Sequence, residues 1–199
     1  MSTPVRTVTV PVPPPNEREI RRYAGCPEGA DELLAVCLAE MQGLNYRVCY
    51  RECAVTDTDK GLDLEFAVTR SADLCKALGG CSKVLLFAAT VGQIPDRLIA
   101  RYERLSPAKA LWIQAIGAER VEALCDAFCR QQTAAGVPLC PRFSPGYGDL
   151  PLTFQKAVFA ALDCPRQLGI TLNDSLLMVP SKSVTALAGI RTNGEEAAL

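Results

Sequence analysis

Residues 106–134, SPAKALWIQAIGAERVEALCDAFCRQQTA, predict one long helix against which the rest of the chain can pack. Ser106 is a residue type that caps helices well, and Pro107 fits the first helical position because its missing N–H needs no partner there. Apolar positions recur at helical spacing along one face, namely Gly117, Val121, Leu124 and Phe128. This stripe predicts that the helix covers a hydrophobic core.

The charged residues of the same helix lie outside that stripe. Glu119, Asp126 and Arg130 fall on a different face, and we expect Asp126 and Arg130, four residues apart, to form a solvated ion pair of little energetic weight. Glu122 lies beside the core stripe, in line with Ala118, Cys125 and Cys129. A carboxylate among small apolar neighbours is costly unless a cation meets it. The spacing fits equally a boundary glutamate that reaches water.

The segments on either side predict an α+β fold, with a mixed or antiparallel sheet and flanking helices. Helices are expected at 16–23, 27–42 (with Gly43 just past the end), 71–78, 95–105 and 151–164. Strands are expected at 46–55, 62–68 and 83–90, and residues 175–190 indicate strand, turn and strand. The polar turn TDTDKG is expected to join the first two strands as a hairpin.

Start signals support three of these helices. Pro27 lies early in the second, Ser71 is the expected cap of the third, and Asp149 with Pro151 is expected to open the last.

One domain is expected at residues 16–190, between an extended segment at 1–15 and a polar tail at 191–199. The segment ends in PVPPP, which does not form a helix and so either drapes over the surface or pairs at a sheet edge.

The composition excludes several classes of function. The 199 residues include no histidine, so Ser-His-Asp or Cys-His catalysis and histidine-ligated metals are excluded. The net charge is −1 without a basic run, which argues against nucleic-acid binding. No stretch is apolar for long enough to span a membrane, and the N-terminus does not resemble a signal peptide, so a cytoplasmic location is expected. The ten cysteines contain no CxxC and are expected to be mostly reduced, buried thiols, without a bound metal.

The stretch CPRFSPGYGDLPL, residues 140–152, is the other feature that could hold a ligand. Arg142 presents a fork of donors suited to a carboxylate or phosphate, and Tyr147 adds a flat ring with a polar tip. Pro145 and Gly146 permit a tight turn. A Pro- and Gly-rich segment is also the ordinary composition of a plain turn.

Three motifs in this order, LSPAKALWIQAIGAERVEALCDAFC, RFSPGYGDLPL and MVPSKSV, resemble the activation (reactivation) domain of cobalamin-dependent methionine synthase, and more closely its short, stand-alone form. The resemblance covers residues 70–190. It implies an α+β domain that binds S-adenosylmethionine and faces a cobalamin held by a partner chain. The partner would be a corrinoid-binding methionine synthase that lacks its own activation domain, with reduced flavodoxin or another electron donor.

Matched by motif, the resemblance implies a ligand site of seven residues: Glu122, Arg142, Phe143, Ser144, Pro145, Gly146 and Tyr147. Arg142 corresponds to the arginine that meets the ligand's carboxylate, and Glu122 to the glutamate near its amino group. Tyr147 corresponds to the tyrosine between ligand and corrinoid. No side chain is implied as a catalytic acid or base, and the chain is expected to be an accessory subunit of a methyltransferase.

Two departures from the family pattern leave other functions open. Ala188 and Gly189 stand where the long enzyme has an aromatic pair, and the family's N-terminal ligand-binding aspartate has no match. A more open or weaker ligand site is therefore expected, or one that the partner completes. The alternatives are a docking module for a corrinoid protein without methyl transfer, and an activator of another corrinoid methyltransferase.

Overall fold

The computed structural model describes residues 3–26 and 28–191. Its strands are β1 (Arg6–Thr9), β2 (Arg47–Ala54), β3 (Thr56–Thr58), β4 (Gly61–Asp63), β5 (Val68–Thr69), β6 (Lys83–Thr90), β7 (Thr171–Leu172), β8 (Met178–Val179) and β9 (Ser183–Ile190). Its helices are α1 (Glu17–Ala24), α2 (Asp31–Glu40), α3 (Ala72–Leu78), α4 (Ile94–Tyr102), α5 (Pro107–Ala134), α6 (Gln155–Leu162) and α7 (Cys164–Leu168), with a 3₁₀ turn at Leu152–Phe154. The α+β class predicted from sequence is confirmed.

The main sheet has the strand order β1-β2-β6-β9, and every neighbouring pair is antiparallel. Strand β6 lies inside it and is apolar on both faces. Leu86 and its alternate neighbours pack towards α3, α6 and α7, whereas Phe87 and its alternate neighbours pack towards α5. The continuous apolar run of β6 is therefore what two covered faces require.

Helix α5 ends within a residue of its predicted bounds and lies across the sheet. Its apolar stripe is buried as expected, with Leu124 and Phe128 fully inaccessible. Ser106 does stand at the N-cap position, but its side chain makes no capping hydrogen bond. The N-terminal half of α5 also packs on α1, α2 and α4 through a third core cluster.

The predicted hairpin between 46–55 and 62–68 is wrong. Strand β2 pairs with β1 and β6, and the residues after it form a separate small sheet of order β3-β4-β5. The run 62–68 does not continue as one strand because Glu65 has a left-handed backbone (φ 71°) and Leu64 N–H closes a turn on Ala67 O. The small turn-rich sheet takes the place of the second strand.

Two other helices differ most from their predicted bounds. The helix expected at 151–164 is a 3₁₀ turn, then α6, then α7, because Asp163 adopts φ 49° and Pro165 follows it. The second helix begins at Asp31 rather than at Pro27, which lies outside the described residues. Residues 192–199 of the expected tail are also outside them. Of the two alternatives for the N-terminal segment, β1 pairs at the sheet edge.

Candidate functional site

The first half of the 140–152 loop is fastened along the edge of β9. Cys140 N–H donates to Gly189 O, and Phe143 and Leu187 exchange two backbone hydrogen bonds, all at 2.8 Å. These bonds extend the main sheet by a short irregular segment. The loop therefore begins on a rigid support, with Arg142 held between two anchored positions.

The second half is fastened to the N-terminus of α3. The Asp149 carboxylate accepts hydrogen bonds from the Ser71 hydroxyl and from the N–H groups of Ala72 (2.8 Å) and Asp73 (3.3 Å). In return Asp149 N–H donates to the Asp73 carboxylate at 3.0 Å. Gly148 passes so close to Asp73 that a Cβ would lie 2.1 Å from its Oδ2. Asp149 thus caps α3 together with Ser71, and does not open the helix that follows it, as the sequence had suggested.

Those donors set the ionisation of Asp149. The Ser71 hydroxyl and the backbone N–H groups of Ala72 and Asp73 lower the pKa of Asp149. The loop end is therefore held by a carboxylate that stays ionised to lower pH than usual.

Between these anchors the loop makes a tight turn with an exposed tip. Tyr147 N–H donates to Ser144 O at 3.1 Å, and Gly146 N–H donates to Leu150 O at 2.9 Å. Phe143 packs edge-to-face on Tyr147, with ring centroids 6.3 Å apart, and Tyr147 is nevertheless 62% exposed. The Ser144 N–H has no partner within residues 3–26 and 28–191.

Arg142 and Glu122, twenty residues apart in sequence, meet beside this loop. Arg142 Nη2 lies 3.1 Å from Glu122 Oε2 and 2.8 Å from Asp126 Oδ1. Arg142 Nη1 is buried without a hydrogen-bonding partner in the described part of the chain. The two acidic side chains are about half exposed, at 43% and 53%, so the cluster is open to solvent on their side.

The thiols below this cluster are neutral. Burial raises the pKa of Cys125 and that of Cys129, the two residues that share the stripe of Glu122. The negative charge beside Arg142 therefore comes from the carboxylates of Glu122 and Asp126.

Two expectations for the charges of α5 are wrong. Asp126 pairs with Arg142, and the expected pair with Arg130 is not found among the described residues. Glu119, expected to be solvated, is 5% exposed and forms two 2.6 Å hydrogen bonds with the 3% exposed Arg120. The N-terminal segment covers this face of α5, since Arg120 also donates to Pro13 O at 2.6 Å.

Two cavities flank the candidate residues, beside a third of about 630 Å³ that Arg142 lines. One, of about 320 Å³, lies between the loop and the segment that leads into β9; it is lined by Ser144, Pro145, Tyr147, Leu152, Gln155, Leu176, Leu177, Met178, Ser181, Ser183, Val184 and Thr185. The other, of about 480 Å³, follows the acidic side of α5 and is lined by Pro13, Pro14, Asn16, Glu19, Tyr23, Glu119, Glu122, Ala123, Asp126 and Arg130. The structure thus brings the loop motif and the MVPSKSV motif to one cavity, and Glu122 to the other.

Sequence reasoning missed several residues around the site. Tyr23 and Glu19 of α1 reach the acidic cavity, and Gln155 and Leu177 reach the other. Their positions depend on how α1 and the 173–177 turn fold back, for which the sequence carries no local signal. Lys182 was missed as well: it is buried and packs over Gly117 of α5, and burial lowers its pKa.

Metals and membranes receive no support from the described residues. Within residues 3–26 and 28–191, no three His, Cys, Asp or Glu side chains form a group that could hold a metal ion. No helix in the same part of the chain is long and apolar enough to cross a membrane. No disulfide joins any of the ten cysteines in the described structure, and six of them are buried: Cys37, Cys49, Cys53, Cys81, Cys125 and Cys164.

No protein-family model matches this chain, and neither does any curated protein. Among solved structures, the crystal structure of the MetH reactivation domain bound to AdoHcy is similar, with a TM-score of 0.62. The two chains are 13% identical, and the similarity covers 99% of this chain and 81% of that one. At this identity the similarity concerns the fold, and it agrees with the resemblance carried by the three sequence motifs. This chain therefore has the fold of the MetH reactivation domain.

Proposed function

We propose that this chain binds S-adenosylmethionine and supports the reductive methylation of cobalamin on a separate methionine synthase that lacks its own activation domain. The observation that carries the proposal is the meeting of Arg142 and Glu122 beside an anchored loop with unsatisfied donors. The solved structure of similar fold is of a domain bound to AdoHcy, S-adenosylhomocysteine, which is the demethylated form of this ligand.

The amino acid end of the ligand is a zwitterion, and the Arg142 cluster offers both complementary charges. A carboxylate suits the guanidinium, whose Nη1 has no partner among the described residues. An ammonium group suits the Glu122 carboxylate. These two side chains contact each other at 3.1 Å, so a bound zwitterion would insert into this ion pair and replace one contact by two.

The rest of the ligand would follow the loop from Arg142 towards Tyr147. The Ser144 N–H is available to an acceptor, whereas the Gly146 N–H is already used by Leu150 O, so Gly146 can offer only its carbonyl. The cavity next to Ser144 combines leucine side chains with serine and threonine hydroxyls, which suits a base and a sugar. Phe143 and Pro145 would hold the turn in shape, and Tyr147 would lie over the ligand at the exposed mouth.

This chain's contribution to methyl transfer would be orientation. Residues at both ends of the ligand would hold its sulfonium group in place for the transfer, and no side chain would be needed as acid or base. The cobalamin of the partner, once reduced by flavodoxin or another donor, is the group that would accept the methyl. We expect the reaction to take place in the cytoplasm.

A second candidate function is a docking module for a corrinoid protein that does not itself bind S-adenosylmethionine. The direct Glu122–Arg142 ion pair favours it, because each charge is already neutralised without a ligand. The replaced aromatic pair points the same way, since Ala188 is fully buried and gives no surface to a ligand.

Calorimetric titration with S-adenosylmethionine separates the two. The proposal predicts saturable binding that Arg142→Ala weakens and that Arg104→Ala, at an exposed arginine in the turn before α5, leaves unchanged. Absence of binding to the wild-type protein would leave only the docking module.

A reactivation assay tests the partner. Wild-type protein is incubated with a methionine synthase truncated before its activation domain, a reductant and S-adenosylmethionine, and methylcobalamin is followed by its absorbance. Recovery is expected with the wild-type protein and not with Arg142→Ala. Recovery only with a different corrinoid methyltransferase would move the function to that enzyme.

A further inference from the structure

Cys81 and Cys140, fifty-nine residues apart in sequence, place their sulfur atoms 3.7 Å from each other. Cys81 lies in the turn between α3 and β6, and Cys140 begins the anchored loop, two residues before Arg142. A disulfide has an S–S distance of about 2.05 Å, so the sulfurs need to approach by only about 1.7 Å to bond.

Gly189 is what allows the two sulfurs to meet. A Cβ at this position would lie 2.9 Å from Cys81 Sγ, 3.3 Å from Cys140 Sγ and 3.0 Å from the backbone oxygen of Leu78. Contacts of that length are repulsive, so any larger residue would push the thiols apart. The glycine that departs from the family's aromatic pattern therefore has a local reason, which is to make room for a pair of cysteines.

The two thiols differ in how a reagent can reach them. Cys81 is 4% exposed, whereas Cys140 is partly exposed and lines an open cavity of about 630 Å³. That cavity is also lined by Arg130, Arg142 and Arg191. A reagent in solvent can therefore reach the Cys140 sulfur directly, whereas the Cys81 sulfur is covered.

A second pair of thiols provides an internal contrast. Cys49 and Cys164 also interact side chain to side chain, but both are completely buried. Of these four thiols, only that of Cys140 is accessible from solvent.

We propose that Cys81 and Cys140 are a dithiol that a peroxide oxidises to a reversible intramolecular disulfide. The Cys140 sulfur attacks the peroxide, the O–O bond breaks, and a sulfenic acid forms with release of one water. The Cys81 sulfur then attacks Cys140, the S–S bond forms, and a second water leaves. One H₂O₂ is reduced and two thiols are oxidised; a dithiol reductant reverses the step. Disulfides of cytoplasmic proteins are typically transient and redox-sensing, in line with this chemistry.

The bond would tie the start of the 140–152 loop to the turn that precedes β6. This site is independent of the proposed function, because its geometry involves neither Glu122 nor a bound ligand.

Peptide mapping tests the proposal on the full-length protein. Dilute protein is treated with H₂O₂, remaining thiols are alkylated under denaturing conditions, and the protein is cut with trypsin. The sequence is convenient, because Cys81 is the only cysteine of peptide 77–83 and Cys140 the only one of peptide 131–142. The expected product is these two peptides joined, lighter by two hydrogen atoms than their sum and separated again by dithiothreitol.

Variants identify which thiol reacts first. In Cys81→Ser, the Cys140 sulfenic acid cannot form the internal disulfide, and trapping with dimedone is expected to shift the signal from the linked peptide to an adduct on 131–142. In Cys75→Ser, which removes an exposed cysteine outside the pair, the link between peptides 77–83 and 131–142 is expected to be unchanged.

Two results would overturn the proposal. One is alkylation of both Cys81 and Cys140 at a peroxide dose that has already oxidised Cys75. The other is a Cys140 disulfide that joins two protein molecules, seen as a dimer on a non-reducing gel.

Discussion

Helix α5 supplies the glutamates of two Glu–Arg pairs of nearly opposite character. Glu119 and Arg120 are 5% and 3% exposed, and both are tied to the N-terminal segment. Glu122 lies about one helical turn further along α5 and pairs with Arg142 of the 140–152 loop. It is half exposed, and one nitrogen of Arg142 is unpartnered in the described structure. The first pair has its polar atoms satisfied by the protein and serves the fold. In the second pair, Arg142 can still donate a hydrogen bond to a group outside the described chain.

The comparison shows what decides the role of a charged pair. Helical spacing alone assigns Glu119 to solvent and Glu122 to the edge of the core, and for Glu119 the structure shows the reverse. The difference comes from PVPPP, which folds back over α5 and offers carbonyl oxygens to Arg120. A proline-rich segment has many carbonyls and few N–H groups, so it is a natural cover for an arginine.

The largest effect is expected at the buried pair. Arg120→Ala leaves the Glu119 carboxylate buried without its cation, which typically costs about 3–5 kcal/mol of the free energy of unfolding. Urea denaturation measures it. The double variant E119Q/R120M removes both charges and is expected to lose less than the single variant. If Arg120→Ala lowered the free energy of unfolding by less than about 1 kcal/mol, the buried pair would contribute no more to stability than an exposed pair.

At the second pair the same type of substitution should act on binding instead. Arg142→Ala is expected to weaken the binding of S-adenosylmethionine by roughly 10- to 150-fold. This corresponds to about 1.5–3 kcal/mol, the scale of a hydrogen bond to a charged group. Because its partners are about half exposed, the free energy of unfolding should change by about 1 kcal/mol or less. Titration calorimetry and urea denaturation on one preparation separate the two quantities. An unchanged dissociation constant would make Arg142 a structural residue like Arg120.

Glu122 and Asp126 both contact Arg142, so substitutions at these two positions can be compared directly. Glu122→Gln is expected to weaken the binding of S-adenosylmethionine by roughly threefold to tenfold. The effect is modest because solvent screens a half-exposed carboxylate. Asp126→Asn removes the same charge from the same guanidinium and should leave affinity within about twofold, as it is not matched to the ligand's amino group. Equal effects of the two substitutions, measured by calorimetry, would mean that only the net charge near Arg142 matters.

The smallest effect is expected at Asp149, whose carboxylate is held by neutral hydrogen-bond donors and not by an arginine. The pKa of Asp149 is lowered in the folded protein, so its stabilisation is present above the unfolded pKa and is lost as pH falls through the folded value. The stability gap between wild type and Asp149→Asn should therefore be constant near neutral pH and shrink below about pH 4. Thermal unfolding from pH 7 to 3 measures it, with Asp174→Asn, at an exposed turn residue, as the control. A gap that widens in acid would contradict the cap on α3.

Much of the fold follows from local pattern, whereas the site follows from it only in part. Helix α5 and strand β6 were predicted within a residue, because a long apolar stripe and a doubly buried run each have one structural solution. The prediction of a hairpin after β2 was wrong. Strand pairing depends on the whole sheet, and both edges of β2 are taken by strands distant in sequence, β1 and β6. The loop, Arg142 and Glu122 were predicted from motifs whose role was indicated by the resemblance to a known family. Tyr23, Gln155 and the Cys81–Cys140 pair arise from contacts distant in sequence, which periodicity does not encode.

A crystal structure of this protein with S-adenosylhomocysteine tests the central claim most directly. The account predicts the ligand's carboxylate on the Arg142 guanidinium, its amino group on Glu122, and the present 3.1 Å contact between those side chains opened to admit both. A ligand found elsewhere, with the Glu122–Arg142 pair still closed, would contradict it.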